Sequence, residues 1–169
     1  PDGLPLAGRH YRSGATAGRE GLFLVLDLPG GGRGGVRRAV LVDRAHVQPG
    51  QQVLVHDGAG GLGSTVIQLA KHLGATVATT TNGSTADLVR DLGADVVIDY
   101  TTQDFSEVVS GYDLVVDSLG GQNLEKSLTV LKPGGLAIGV AGPPDSGFAR
   151  QLGAPAIWLL PIVFPLVMA

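Results

Sequence analysis

Cysteine is absent from the 169 residues. Disulfides, thiolate metal sites and cysteine nucleophiles are therefore excluded, and a reducing compartment is compatible with the chain. Charge is scarce: 16% of residues are Asp, Glu, Lys or Arg, and the formal net charge is −3. No global basic field is offered to nucleic acid or to an anionic membrane, so neither is expected as a partner. Aromatic residues make up only 5% of the chain, and only Tyr11 and Phe23 interleave with the N-terminal arginines. That favours a solvated linker over a nucleic-acid arm. The four histidines, His10, His46, His56 and His72, are scattered without ligand spacing, so no metal site is expected. No G-x-S-x-G elbow and no nucleophile–base pair can be assembled, and no catalytic residue is assigned. No apolar signal segment opens the chain, and no initiator methionine, which reads as a fragment of cytoplasmic origin. The long apolar run, Ala154 to Ala169, is interrupted by Pro155, Pro161 and Pro165. A helical span needs roughly 20 apolar residues, so this tail is not expected to cross a bilayer.

Glycine, by contrast, is abundant, with 27 residues, and its distribution divides the chain. Residues 1–38 read as an irregular Arg/Gly-rich segment around one apolar run, Leu22 to Leu28. Residues 39–144 read as one domain, and 145–169 as the apolar tail. Within the domain, apolar runs at 51–57, 76–81, 95–100, 112–120 and 136–142 alternate with helix-length segments. The first helix, 61–74, carries Val66, Leu69, Ala70 and Leu73 on one face and stops at Gly74. The second, 84–93, has Ser84 as its expected N-cap. Short helices follow at 102–110 and 122–131, the last stopped by Lys132-Pro133-Gly134-Gly135. Apolar runs that are continuous rather than alternating belong to strands buried on both faces. The fold expected is therefore α/β: a doubly wound parallel sheet of Rossmann type, with the five strands in the order 3-2-1-4-5. Strand five is expected to lie at an exposed edge.

The stretch Gly58-Ala59-Gly60-Gly61-Leu62-Gly63 reads G-x-G-x-x-G. Alone this is weak in so glycine-rich a chain. Here it follows a strand and opens a helix in a unit of about thirty residues, the setting that gives the motif meaning. Gly58 would permit the turn off the strand, Gly60 would clear space for a pyrophosphate, and Gly63 would let the helix pack closely. The helix N-terminus would supply unpaired N–H groups and a positive dipole end. A tight turn that binds nothing is the competing reading. Sites for NAD place an acid at the end of the second strand. Here that end reads Thr79-Thr80-Thr81-Asn82-Gly83-Ser84, whose hydroxyl and amide groups suit a 2′-phosphate, so NADP(H) is the cofactor expected. The basic partner expected for a 2′-phosphate is missing, the nearest being Arg90. His56 reads as a hydrogen-bonded residue at a strand end. Asp95, Asp99, Asp113 and Asp117 read as turn or cap residues.

Four stretches in order, VQPGQQVLVHDGAGGLGSTVIQLAKHLGA, LVRDLGADVVIDY, YDLVVDSLGGQNLEKSL and VLKPGGLAIGVAGPP, resemble the cofactor domain of the medium-chain dehydrogenase/reductase superfamily. The branch they resemble is that of the zinc-independent quinone oxidoreductases and NADPH-dependent enone reductases. The resemblance covers about Ala39 to Pro144. It implies hydride transfer from a nicotinamide to a small-molecule carbonyl or quinone substrate, and it allows a homodimer. It implies that Gly60, Gly61 and Leu62 line a pyrophosphate. Thr80, Thr81 and Asn82, with Tyr100, would lie at the adenosine ribose or its 2′-phosphate. Ser118, Leu119, Ala141 and Gly142 would face the nicotinamide half. The substrate domain that precedes this one in the superfamily is missing here, so a truncated, non-catalytic dinucleotide-binding or interaction module is the alternative.

Overall fold

The computed structural model describes residues 8–12, 22–26 and 45–140. Five strands and four helices carry the domain in chain order. They are β3 (Gln52–Val55), α1 (Gly63–His72), β4 (Thr76–Thr81), α2 (Ala86–Asp91), β5 (Val96–Asp99), α3 (Phe105–Val108), β6 (Tyr112–Asp117), α4 (Gln122–Thr129) and β7 (Leu131–Gly139). Two earlier strands, β1 (Gly8–Arg12) and β2 (Leu22–Leu26), come from the N-terminal segment. The sheet order is β1-β2-β7-β6-β3-β4-β5. All neighbours from β2 to β5 pair in parallel, and β1 alone runs antiparallel to β2. The five domain strands thus take the expected order.

The sheet forms because its strands can bury both faces. On β3, Val53 and Val55 join one core while Leu54 joins the other, and all three are at most 1% exposed. The first core receives Val66, Ile67 and Ala70 from α1 and Val89 from α2. The second receives Phe105 from α3 and Leu124 from α4. Helices on opposite faces follow from right-handed crossovers that proceed outward through β4 and β5, then return to β6 on the other side of β3. Winding therefore reverses between β3 and β6, and the loops leaving their carboxyl ends diverge there. Open parallel sheets bind ligands at such a crevice.

Three local expectations change. Strand five is not an edge: β2 pairs with β7 from Leu22↔Leu136 to Val25↔Gly139. The apolar run in the N-terminal segment supplies that partner. The Lys132-Pro133-Gly134-Gly135 stretch lies within β7, where the register against β6 shifts between Tyr112 and Leu114. Ser84 is not the cap of the second helix. The N-cap of α2 is Thr85, which makes no side-chain cap bond; ahead of it Asn82 caps a 3₁₀ turn, Gly83–Thr85, its Oδ1 accepting from the Ser84 amide at 3.0 Å. Ala141, Gly142 and the apolar tail lie outside the described residues. Among those described, no helix is long and apolar enough to cross a membrane.

Candidate dinucleotide site

The turn between β3 and α1 is built on Asp57. The His56 amide still donates to Val116 O (3.0 Å), continuing the β3–β6 pairing. Asp57 then adopts φ +56°, the left-handed conformation that Asp and Asn tolerate better than most residues. The sequence assigned the sharp turn to Gly58, but the reversal falls one residue earlier. Gly58 is needed for close approach instead: a Cβ there would collide with Thr79 Oγ1 and meet Ile67 Cδ1 at 2.9 Å. A Cβ on Gly63 would collide with Asp57 O and lie 2.8 Å from the Gly58 Cα, so helix and turn touch backbone to backbone. At Gly60 the space a side chain would take holds the Asp57 carboxylate. Gly61 faces open space.

Hydrogen bonding then leaves a bare helix end. The Gly58 amide donates to Thr80 O and the Gly60 amide to Asp57 O, both at 3.0 Å. The Ser64 and Val66 amides donate to Gly60 O and Leu62 O. The amides of Gly61, Leu62 and Gly63 have no acceptor among the described residues. The first turn of α1 carries no acidic residue. Three adjacent N–H groups at the positive end of a helix dipole form a ready anion site. Within residues 45–140 each lysine and arginine is already paired with an aspartate: Lys71 with Asp95, Arg90 with Asp87, Lys126 with Asp104 and Lys132 with Asp113. The Lys126 bond holds the Asp104 carboxyl at about 2, below its ordinary 3.8.

The end of β4 sorts its hydroxyls. Thr79 Oγ1 donates to Val55 O at 2.7 Å. Thr80 is 3% exposed, and its Oγ1 lies 3.0 Å from His56 Nδ1 and accepts from the Asp57 amide at 3.3 Å. Thr81 Oγ1 lies 2.6 Å from Thr85 Oγ1, which itself donates to Asn82 O. Thr80 and Thr81, expected at the ribose or its phosphate, are thus committed inward. Period-two alternation does not protect them, because the parallel sheet is covered on both faces. Asn82 and Ser84 stand exposed at the tip. Tyr100 is 60% exposed, and its amide donates to Thr81 O, so it flanks that tip. Asp99, from the end of β5, accepts from Thr101 Oγ1 and N, which hold its carboxyl below the usual range.

His56 knits the crevice together. It is 1% exposed, with Phe105 edge-on to its ring at 4.6 Å between centroids. Its Nε2 lies 2.9 Å from Ser127 Oγ. That hydroxyl spends its proton on Asn123 O at 2.7 Å, so it must accept from Nε2–H. Nδ1 is then the acceptor, and Thr80 Oγ1 donates to it. This neutral tautomer agrees with burial, which lowers the ring's pKa, against a smaller opposing pull from Asp117. Asp117 is fully buried at the end of β6. Its Oδ1 accepts from the Leu119 and Gly120 amides at 2.7 and 3.1 Å, while Oδ2 has no partner. Ser118 Oγ donates to His56 O at 3.3 Å, and Leu119 is half exposed beside it. The sequence did not single out Asp57 or Ser127. Their roles depend on pairings 23 or more residues apart, or on one backbone angle.

A glycine turn, a bare helix N-terminus and a switch point at the same sheet end define an α/β domain of Rossmann type. Residues 61–157 match the family described as zinc-binding dehydrogenase. The chain is 40% identical over 144 residues to the 2-haloacrylate reductase of Burkholderia sp., covering 73% of this chain and 43% of that protein. It is 43% identical over 110 residues to the chloroplastic NADPH-dependent alkenal/one oxidoreductase of Arabidopsis thaliana, covering 62% and 28%. The solved quinone oxidoreductase of Pseudomonas syringae pv. tomato superposes with a TM-score of 0.64 at 28% identity, covering 78% of this chain and 47% of that one. The chain belongs to this dehydrogenase family, within the medium-chain dehydrogenase/reductase superfamily, on its quinone and enone reductase-like branch. It spans less than half the length of these relatives. Among the described residues no cluster of His, Asp or Glu has the makings of a metal site.

Proposed function

We propose that this domain binds NADP(H) and serves hydride transfer to an activated carbonyl compound, an enone or a quinone. The observation that carries this reading is the row of unpaired amides at Gly61, Leu62 and Gly63, on a helix end that glycine alone can bring so close to the sheet. A dinucleotide fits that cradle. Its pyrophosphate would take the three amides, its adenosine end Asn82, Ser84 and Tyr100, and its nicotinamide half the loop at Ser118 and Leu119, with Ala141 and Gly142 proposed alongside. Bound there, the nicotinamide would supply the hydride, and the protein's task is to position it. Asn82 and Ser84 replace Thr80 and Thr81 in the proposed 2′-phosphate contact, because their polar groups are exposed. The relatives named for NADPH-dependent and quinone reduction support both the cofactor and the substrate class.

Calorimetric titration tests the binding. NADPH should bind more tightly than NADH. Gly61→Glu should abolish binding with the fold intact, since nothing lies within 4 Å of a Cβ at that position. Unaltered binding in Gly61→Glu, or a preference for NADH, would count against the reading. Asn82→Asp keeps the carbonyl-type acceptor that caps Ser84 and adds a charge, so it should weaken NADPH relative to NADH. An NADPH oxidation assay with a small enone and a small quinone tests the activity, and binding without turnover would favour the alternative of a non-catalytic module.

A further inference from the structure

The Asp57 carboxylate sits at the wrong end of the electrostatic balance for an anion site. Its side chain occupies the space over Gly60, one residue before the first unpaired amide. It is exposed at the mouth of the turn and has no ion-pair partner within residues 45–140, whose four lysine and arginine side chains are engaged elsewhere. Nothing in the turn requires the charge. The main chain does the structural work: Asp57 N donates to Thr80 Oγ1, Asp57 O accepts from Gly60 N, and φ is +56°. An amide side chain would serve the same backbone. A phosphate resting on the Gly61–Gly63 amides would lie within about 8 Å of this carboxylate, a Debye length at physiological salt.

We propose that Asp57 is an affinity-setting residue of the pyrophosphate subsite. Its fixed negative charge opposes that of the dinucleotide and holds binding weaker than the cradle alone would give. This rests on the dinucleotide reading above. The charge acts on the pyrophosphate end and leaves the adenosine end untouched.

The test uses Asp57→Asn, which keeps size and tolerance of left-handed φ, and Asp57→Gly as a second variant equally at ease there. Both are titrated with NADPH and with 2′-AMP, which fills the adenosine end and has no 5′-phosphate. Both variants should bind NADPH about tenfold more tightly than the parent chain at 50 mM salt, a gap that shrinks to about threefold or less at 0.5 M salt as screening grows. Affinity for 2′-AMP should stay the same. If the parent binds NADPH and both variants bind it no better, the proposal is overturned while the dinucleotide reading stands. Equal tightening towards 2′-AMP, or a gap indifferent to salt, also overturns it. If neither parent nor variants bind NADPH or 2′-AMP, the dinucleotide reading itself falls, and the proposal with it.

Discussion

His56 and Thr80 form a buried polar pair between the ends of β3 and β4. Fully buried and neutral, His56 joins β4 to α4 through Thr80 and Ser127. His56→Ala would leave both hydroxyls without that partner and open a cavity, for a loss of about 3 kcal/mol in denaturant unfolding. Burial lowers the His56 pKa from 6.5, so the unfolded chain takes up a proton before the folded one does. The stability this contributes is complete above the ordinary value of 6.5 and is lost as pH falls below it towards the lowered one. His56→Gln, which can donate to Ser127 and accept from Thr80, should flatten that acid-side loss in melting curves measured between pH 7.5 and 5. An unchanged slope would place the acid sensitivity elsewhere. Thr80→Asp should unfold the chain rather than retune its cofactor, since the new carboxylate would be buried against the neutral histidine. The sequence showed His56 as a bonded residue at a strand end. It could not show that Thr80 is its partner, because the register of β3 against β4 and the facing of each hydroxyl are set only when the sheet closes.

At the level of elements, α1 and the turn before it form one unit. The three motif glycines are not equivalent to Gly61 beside them. Gly63→Ala drives a methyl group into the Asp57 carbonyl, while Gly61→Ala meets nothing within 4 Å. The first should cost about 1–3 kcal/mol and the second stay within about 0.5 kcal/mol, a contrast that urea melts of the two variants would resolve. Asn82→Ala should cost about 1 kcal/mol by removing the cap on the 3₁₀ turn before α2. The helix and strand pattern was legible because continuous apolar runs and glycine stops mark it directly. β4 was read to the residue, since Thr76–Thr81 is β-branched apart from Ala78 and bounded by turn formers. The cap was misplaced because Asn82, Ser84 and Thr85 are all competent caps, and only the bend at the end of β4 sets a 3₁₀ turn capped by Asn82 ahead of the helix, whose own N-cap is then Thr85.

Over the whole molecule, the sheet is wider than the domain strands alone. β2 lies between β1 and β7 and pairs with both, so a central break there should be felt throughout. Leu24→Pro removes a donor from the middle of β2 and should lower the melting temperature by several degrees, since about 1 kcal/mol moves it 2–4 °C in a chain of this size. An unshifted melt would show that β7 needs no neighbour on that side. The five-strand order was readable from right-handed crossovers and the glycine turn. The pairing of Leu22–Leu26 with β7 was not, because a short apolar run in a glycine-rich stretch carries no mark of which strand it will join. The same switch point that orders the sheet brings together Gly61–Gly63, Asn82 and Ser118 from residues far apart in sequence, and the account stands or falls on that convergence. The most direct test is a two-dimensional amide NMR spectrum of the chain titrated with NADPH. The account predicts the largest shift changes at Gly61, Leu62 and Gly63, with smaller ones at Asn82, Ser84 and Ser118. Saturable shifts confined to other residues, or none up to millimolar NADPH, would contradict it.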